Sequence, residues 1–165
     1  YARSIDCIEV TTYIQSIDRA YHERLVLHDH FHLAKQFGIR NLHFREKERL
    51  QQGYESYKQE YKLSTSTHTI EDFDTLDSIW QYAFLSPVFP SISKQGYGNE
   101  HTVLIEMKTR KNNTTKLLGL GGVTADNYEQ VRIAGANGAA LLGSIWHQEH
   151  PIQTLLACKK TDQLY

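Results

Sequence analysis

Short apolar runs recur along the chain, and each is followed by a polar segment or one with helix-like spacing. Within a run, apolar positions mostly follow one another instead of alternating with polar ones. Such runs are typical of strands whose two faces are both covered, as in a parallel sheet with crossover helices. The pattern therefore predicts six strands, at residues 24–28, 41–44, 63–67, 82–89, 116–123 and 138–146.

Three intervening segments have the start and stop signals of helices. The segment "FHLAKQFG" ends at Gly38, and a third helix is predicted from Thr124 to Gly135 or Gly138. Between them, a helix over residues 69–81 has Thr69 as its N-cap. Its apolar face comprises Ile70, Phe73, Leu76, Ile79 and Trp80. Because residues 1–21 resemble a polar lead and a helix, we expect the chain to begin inside or just before a helix.

Strands that alternate with helices predict an α/β fold, here a (β/α)8 TIM barrel formed as a single domain over residues 1–165. A closed parallel barrel needs eight strands, whereas the pattern predicts six. We therefore expect the first two strands to be missing from this chain, so that the six runs are strands three to eight. An open six-stranded sheet is the alternative.

Composition narrows the possible partners. The 165 residues have a formal net charge of −1, and no apolar run approaches the roughly 20 residues that span a bilayer. We therefore expect no nucleic-acid or membrane partner. Cys7 and Cys158 lack metal-binding or redox spacing, which is typical of free thiols in a reducing cytoplasm. The polar and glycine-rich loops considered next predict small phosphorylated substrates as partners, and the sequence does not decide whether the chain forms a homo-oligomer.

Two glycine turns follow the last two predicted strands. Gly121 and Gly122 come directly after one strand, and Gly143 and Ser144 lie at the end of the next. Backbone amides without a bulky side chain bind anions at close range, aided by the start of the following helix. In β/α barrels the loops after strands seven and eight often form a phosphate site. The alternative is that these are ordinary turn glycines.

The loop "SPVFPSISK" offers a second set of phosphate donors. Ser91 and Ser93 supply hydroxyl groups, and Lys94 supplies a positive charge. Pro87 and Pro90 restrict the backbone and make the loop less costly to order. A proline-stiffened surface loop with incidental serines is the alternative.

Further polar residues follow the earlier strands. In "LSTSTHT", Ser66 or Thr67 is a candidate donor to a leaving group. In "LHDHFH", His28 and Asp29 end a strand, and Asp29 is a candidate Mg²⁺ ligand. In "LHFREKER", Glu48 is a candidate second metal carboxylate. Structural hydrogen bonding and a solvated helix start are the alternatives for the last two segments.

These segments occur in an order that resembles the thiamine-phosphate synthase superfamily, which also contains the thiazole tautomerases. The segment "LSPVFPSISKQGYG" is similar to the family's GP[IV][FY]PTxTK, "LSTSTHTIED" to GVSxHTxEE, and "GLGGVTADN" to AIGGIxxxN. "GANGAALLGSIW" and "LHDHFHLAKQFGIRNLHF" also resemble family segments, so that the likeness runs from about residue 24 to residue 147.

The resemblance implies a (β/α)8 barrel and a transferase of thiamine biosynthesis. The reaction joins a hydroxymethylpyrimidine diphosphate to a thiazole phosphate and releases pyrophosphate, with Mg²⁺ as cofactor. Ser66 and Lys94 lie at the positions that act on the departing diphosphate, and Asp29 lies at a Mg²⁺ ligand. The implied substrate-binding residues are His28, Ser91, Ile92, Ser93, Gly121, Gly122, Leu142, Gly143 and Ser144.

The sequence also departs from the family pattern. The second Mg²⁺ aspartate aligns with Lys47 or Glu48, and a charged lysine cannot be a ligand. The tautomerase branch has a histidine where this chain has Pro87, which argues against tautomerase chemistry. A divergent thiazole-phosphate enzyme or a non-catalytic phosphate-binding barrel is therefore the alternative to the synthase.

Overall fold

The fold is a parallel α/β arrangement, seen in a computed structural model that describes residues 6–90 and 102–165. All the strand pairs with a defined register are parallel, and the strands follow one another in the sheet in chain order. This confirms the α/β class and the six predicted strands. The strands are β1 Val26–Leu27, β2 Asn41–Phe44, β3 Lys62–Thr67, β4 Trp80–Leu85, β5 Lys116–Leu120 and β6 Gly138–Ala140.

Helices separate the strands. They are α1 Cys7–Ser16, α2 Leu33–Phe37, α3 Glu46–Leu50, α4 Ile70–Asp74, α5 Tyr128–Ile133, α6 Gly143–Trp146 and α7 Pro151–Asp162, with 3-10 helices at Arg19–Arg24 and Glu106–Thr109. The first described element is a helix, as predicted. The chain divides into two compact units, Tyr1–Thr65 and Ser66–Tyr165.

The first unit is built from α1 to the start of β3. Asp6 caps α1 by accepting hydrogen bonds from the backbone N–H groups of Ile8 and Glu9 at 2.8 and 2.9 Å. Helix α2 ends at Gly38, whose φ of 70° is the left-handed conformation that favours glycine, so the predicted stop is confirmed. Buried apolar side chains of α2 and β2, including Leu33 and Phe44, form its core.

In the second unit, helix α4 is shorter than predicted. Thr69 is its N-cap, as expected, and accepts a hydrogen bond from Asp72 N–H at 3.1 Å. The predicted extension to residue 81 is wrong, because α4 ends at Asp74 and Trp80 is the buried first residue of β4. The side-chain amide of Asn112 donates to the Leu76 carbonyl at 2.7 Å and so holds the chain just beyond the helix. Asn112 is 36 residues from Leu76 in the sequence.

The last three predicted strands end early. β5 ends at Leu120 instead of residue 123, because Gly121 and Gly122 turn the chain there. β4 ends at Leu85, since Pro87 has no N–H for a strand ladder. β6 ends at Ala140, and the predicted strand over 141–146 is wrong because 143–146 form α6. There the Leu142 carbonyl accepts from the N–H groups of Ile145 and Trp146, both at 3.0 Å, which are local helical bonds rather than strand pairing.

Helix α5 begins later than predicted. It starts at Tyr128 instead of Thr124, and Ala134 follows its last residue. Of the two predicted stops, Gly135 is therefore the one that follows the helix end, and its φ is 96°. Within the described residues, no helix is long and apolar enough to cross a membrane.

Candidate functional site

In the first unit, two histidines stack at the ends of β1 and β2. The rings of His28 and His43 lie 4.4 Å apart between centroids. His43 Nδ1 is 3.0 Å from Ser64 Oγ, and this hydroxyl donates to the Leu42 carbonyl at 3.2 Å. Because the hydroxyl hydrogen is used on the carbonyl, Oγ accepts from Nδ1–H. Nδ1 is therefore a protonated nitrogen of the ring, in its neutral and its charged form alike.

Burial keeps both rings uncharged. The pKa of His43 is lowered to about 3, first by burial and then by the charges of His28 and Arg45. Burial also lowers the pKa of His28. The charge of Arg45 lowers this pKa further, and the charge of Asp29 opposes the shift. The ends of these strands therefore present neutral imidazoles at pH 7.

Both predicted metal carboxylates contact Arg45. The guanidinium Nη2 donates to Asp29 Oδ2, and Nη1 lies 3.6 Å from Glu48 Oε1. The other oxygen of Glu48, Oε2, accepts the Arg45 backbone N–H at 2.7 Å, at the start of α3. Asp29 and Glu48 therefore both lie beside the guanidinium of Arg45, which is a cation of the protein itself.

This donor set does not fit a resident Mg²⁺. A Mg²⁺ site needs oxygen ligands in near-octahedral geometry about 2.0–2.1 Å from the ion, and here a guanidinium is hydrogen-bonded to one carboxylate and ion-paired with the other. Among the residues that the structure describes, no group of three or more His, Cys, Asp or Glu side chains could hold a metal ion. Mg²⁺ therefore stays a prediction from the resemblance, and no chemical step is derived through it.

In the second unit, the glycine turn after β5 packs backbone against backbone on the chain after β4. Gly121 and Gly122 have φ of 97° and 63°. A Cβ atom on Gly122 would lie 2.3 Å from the Pro90 carbonyl oxygen, so only glycine fits here. Val88 N–H donates to the Leu120 carbonyl at 2.9 Å, and Phe89 N–H to the Gly121 carbonyl at 3.1 Å. The turn and residues 88–90 are thus held together.

The turns after β5 and β6 are joined by a buried hydroxyl. Ser144 Oγ donates to the Val123 carbonyl at 2.7 Å. The backbone N–H groups of Gly122, Val123, Gly143 and Ser144 donate to no acceptor among the described residues. Four unpaired amides in two linked turns are the donors that an anion binds. Part of Leu142 is exposed beside them.

Asn127 holds the β5 turn in shape. Its Oδ1 accepts the Thr124 N–H at 2.8 Å, and its Nδ2 donates to the Gly122 carbonyl at 3.0 Å. Both halves of the amide are therefore used on the turn.

The ends of β3 and β4 are also linked. Thr67 Oγ1 donates to the Phe84 carbonyl at 3.1 Å, so this hydroxyl has a structural partner. His68 Nδ1 lies 3.1 Å from the Ser86 carbonyl oxygen, to which it donates as Nδ1–H. Ser66, which directly precedes these two anchored residues, is half-buried near the end of β3.

The predicted site residues thus fall into three sets. His28, Asp29 and Glu48 lie in the first unit. Ser66, Gly121, Gly122, Leu142, Gly143 and Ser144 lie at strand ends of the second. Ser91, Ile92, Ser93 and Lys94 lie outside the described residues.

Three further residues shape these sites and were not predicted from the sequence: Arg45, His43 and Asn127. The signal for Asn127 was its place three residues after Thr124 at a helix start, where an Asx side chain often caps. No local pattern marked Arg45, because its partner Asp29 is 16 residues away.

A family model and the similar proteins agree on one family. A family model described as thiamine monophosphate synthase matches residues 2–145. The chain is 26% identical over 146 residues to a thiamine-phosphate synthase of Listeria innocua, an alignment that covers 86% of this chain and 68% of the relative. It is 31% identical over 91 residues to a thiamine-phosphate synthase of Bacillus velezensis, covering 54% of this chain and 41% of the relative.

Solved structures share the fold. A thiamine phosphate pyrophosphorylase from Bacteroides thetaiotaomicron matches with a TM-score of 0.76 at 21% identity, over 98% of this chain and 81% of that one. A thiamine phosphate pyrophosphorylase from Pyrococcus furiosus matches with a TM-score of 0.81 at 13% identity, over 99% and 80% of the two chains. At these identities the likeness establishes the α/β fold.

Proposed function

Because this chain belongs to the thiamine monophosphate synthase family, we propose that it is part of a thiamine-phosphate synthase. The reaction joins a hydroxymethylpyrimidine diphosphate to a thiazole phosphate and releases pyrophosphate, as a transferase of thiamine biosynthesis. We further propose that β1 to β6 are strands three to eight of a (β/α)8 barrel formed as one domain. Their parallel pairing in chain order supports this assignment.

The observation that carries the proposal is the pair of amide-rich turns after β5 and β6. The unpaired N–H groups of Gly122, Val123, Gly143 and Ser144 suit the phosphate of a thiazole phosphate. The Ser144 hydroxyl bonds to Val123 instead of facing a ligand, so its contribution is to hold the two turns together. Substrate binding here therefore depends on the backbone, with Leu142 as an apolar neighbour.

Ser91, Ile92, Ser93 and Lys94 are proposed to complete the phosphate contacts. Ser91 follows Pro90 in the chain, and the Pro90 carbonyl packs against Gly122 of the amide-rich turn. Two hydroxyl donors and one ammonium would add charge that backbone amides lack. Lys94 would bind the departing diphosphate.

Ser66 is proposed to donate to the departing diphosphate, and His28 to contact substrate as a neutral imidazole. Ser66 lies between Thr67, whose hydroxyl is bonded to the backbone, and Thr65, which is fully buried. This fixes the strand end and gives the half-buried hydroxyl a defined position. Catalysis would then rest on positioning and on donors aimed at the leaving group.

The test is a pyrophosphate-release assay with both substrates. Lys94→Ala and Ser66→Ala are expected to lower turnover by about 100-fold or more, as the loss of a leaving-group donor does. Matched controls are Lys160→Ala and Ser16→Ala, which remove the same groups from exposed positions of α7 and α1. Full turnover in both site variants would show that these roles are wrong.

A second candidate function is non-catalytic binding of a phosphate ligand. The contact of Arg45 with both carboxylates favours it, because the predicted metal ligands are already paired. Wild-type protein that binds thiazole phosphate but releases no pyrophosphate would support this function over the synthase.

A further inference from the structure

We propose that the guanidinium of Arg45 takes the place of a divalent ion between Asp29 and Glu48. The two carboxylates then form a site whose cation is part of the chain. The proposal concerns binding by the protein without substrate, so it does not require the proposed synthase reaction to be correct.

The geometry supports a guanidinium at this position. Arg45 uses different nitrogens for the two acids, Nη2 for Asp29 and Nη1 for Glu48. A planar guanidinium presents several N–H donors in a fixed fork, so one arginine can bridge two carboxylates. Two separate elements are joined in this way, the chain after β1 and the start of α3.

The backbone fixes one side of the bridge. Glu48 Oε2 accepts the Arg45 backbone N–H at 2.7 Å, which leaves Oε1 as the oxygen directed at the guanidinium. Glu48 therefore contacts both the main chain and the side chain of the same residue. A Mg²⁺ ion at Glu48 would have to displace the guanidinium, the capping bond or both.

Electrostatic repulsion by Arg45 also disfavours a divalent ion at this site. The +1 charge of Arg45 is hydrogen-bonded to Asp29 and ion-paired with Glu48, so it repels a +2 ion that approaches the same oxygens. The side chains of Asp29 and Arg45 are each 51% exposed, so water weakens this repulsion but does not remove it. We therefore expect Arg45 to lower the affinity for a divalent ion by roughly tenfold or more.

The consequence for turnover concerns where a divalent ion binds. Any Mg²⁺ that the reaction needs would enter with the phosphate oxygens of the substrate, since a cation of the chain already contacts both carboxylates. This consequence rests on the proposed function, whereas the exclusion of the metal does not.

The experiment is a Mn²⁺ titration of the substrate-free protein, followed by electron paramagnetic resonance of free Mn²⁺. Wild type is expected to show no saturation below roughly 1 mM. Arg45→Gln, which removes the charge but keeps a polar side chain, is expected to bind Mn²⁺ at least about tenfold more tightly. Arg45→Lys keeps the charge and is expected to behave as wild type.

Two controls locate the effect. Arg40→Gln removes an exposed arginine charge elsewhere in the first unit and should leave Mn²⁺ affinity unchanged. Asp29→Asn added to Arg45→Gln should abolish the gain. Far-ultraviolet circular dichroism checks that each variant is folded, and Arg45→Met replaces Arg45→Gln if that variant is not.

Equal Mn²⁺ affinity of wild type and Arg45→Gln would overturn the proposal, whether both bind tightly or neither does. A gain that persists after Asp29→Asn would also overturn it. If the Mn²⁺ results are as expected but the wild type releases no pyrophosphate, only the proposed synthase function is contradicted.

Discussion

The buried hydroxyl of Ser144 donates a 2.7 Å hydrogen bond to the carbonyl oxygen of Val123. This bond links the turn after β6 to the turn after β5, and both turns contain backbone amides that have no acceptor within residues 6–90 and 102–165. The distance between these donors is set by the two neighbouring parallel strands, which pair Leu118 with Gly138. One side chain that makes no proposed substrate contact thus controls the shape of the proposed anion site.

Ser144→Ala is expected to destabilise the protein by about 1–3 kcal/mol, because it leaves the buried Val123 carbonyl without its partner. It should also weaken binding of thiazole phosphate, since the two turns are no longer tied together. Urea unfolding and ligand titration measure the two effects. Ser16→Ala is the control, because it removes an exposed hydroxyl bond of 2.7 Å to Tyr13. Equal effects of the two substitutions would contradict the role of Ser144.

Gly122→Ala and Gly38→Ala form a matched pair. Their φ values are similar, at 63° and 70°, so both alanines have the strain of a left-handed backbone, about 1 kcal/mol. Gly38 has nothing within 4 Å of an added Cβ, whereas Gly122 would clash with Pro90 and Phe89 backbone atoms. Gly122→Ala is therefore expected to cost at least about 2 kcal/mol more, measured by urea unfolding. Similar costs would show that the close packing is not maintained in solution.

Local signals in the sequence were sufficient for glycine-controlled features. The stop of α2 at Gly38 and the turn at Gly121 and Gly122 follow from the conformational freedom of glycine, which needs no distant partner. Strand β2 was predicted at its observed bounds for a similar reason. Its apolar run is short and is bounded by polar residues on both sides.

Features decided by distant contacts could not be predicted in this way. Helix α4 ends at Asp74 although its apolar spacing continues to Trp80, since Asn112 binds the carbonyls of Phe73 and Leu76 at the helix end and Trp80 packs in a strand. Likewise, the positions of Asp29 and Glu48 after two predicted strands suggested metal ligands. It could not reveal that Arg45 would lie between them, because a side-chain direction is settled only by the fold.

His43 is expected to make the protein less stable in mild acid. Its pKa is about 3 in the folded state, against 6.5 for an ordinary histidine, so between these pH values only the unfolded state binds the proton. Stability therefore falls as the pH drops below 6.5, and the loss from this residue is about 2 kcal/mol at pH 5. Urea unfolding of His43→Gln should show a smaller loss from pH 7 to pH 5.

The matched control is His147→Gln, at an exposed position after α6. It should leave the acid sensitivity as in wild type. If His43→Gln lost as much stability as wild type between pH 7 and pH 5, the buried neutral state of His43 would be wrong.

Asn127→Asp separates the fold of the β5 turn from its electrostatics. The aspartate keeps an oxygen that can accept the Thr124 N–H, so the turn should survive, although the donor to the Gly122 carbonyl is lost. A carboxylate beside the unpaired amides repels an anionic ligand. We therefore expect stability to fall by only about 1 kcal/mol, while affinity for thiazole phosphate falls by about tenfold or more.

Salt dependence identifies the cause. A loss due to charge repulsion should shrink between low and high ionic strength, because salt screens charges that are partly exposed. Asn127→Ala loses both hydrogen bonds without adding a charge, so it should lower stability more and show little salt dependence. Asn113→Asp adds the same charge to the exposed polar loop before β5 and should leave binding unchanged. Weaker binding in Asn127→Ala than in Asn127→Asp would mean that the shape of the turn, not its field, dominates anion recognition.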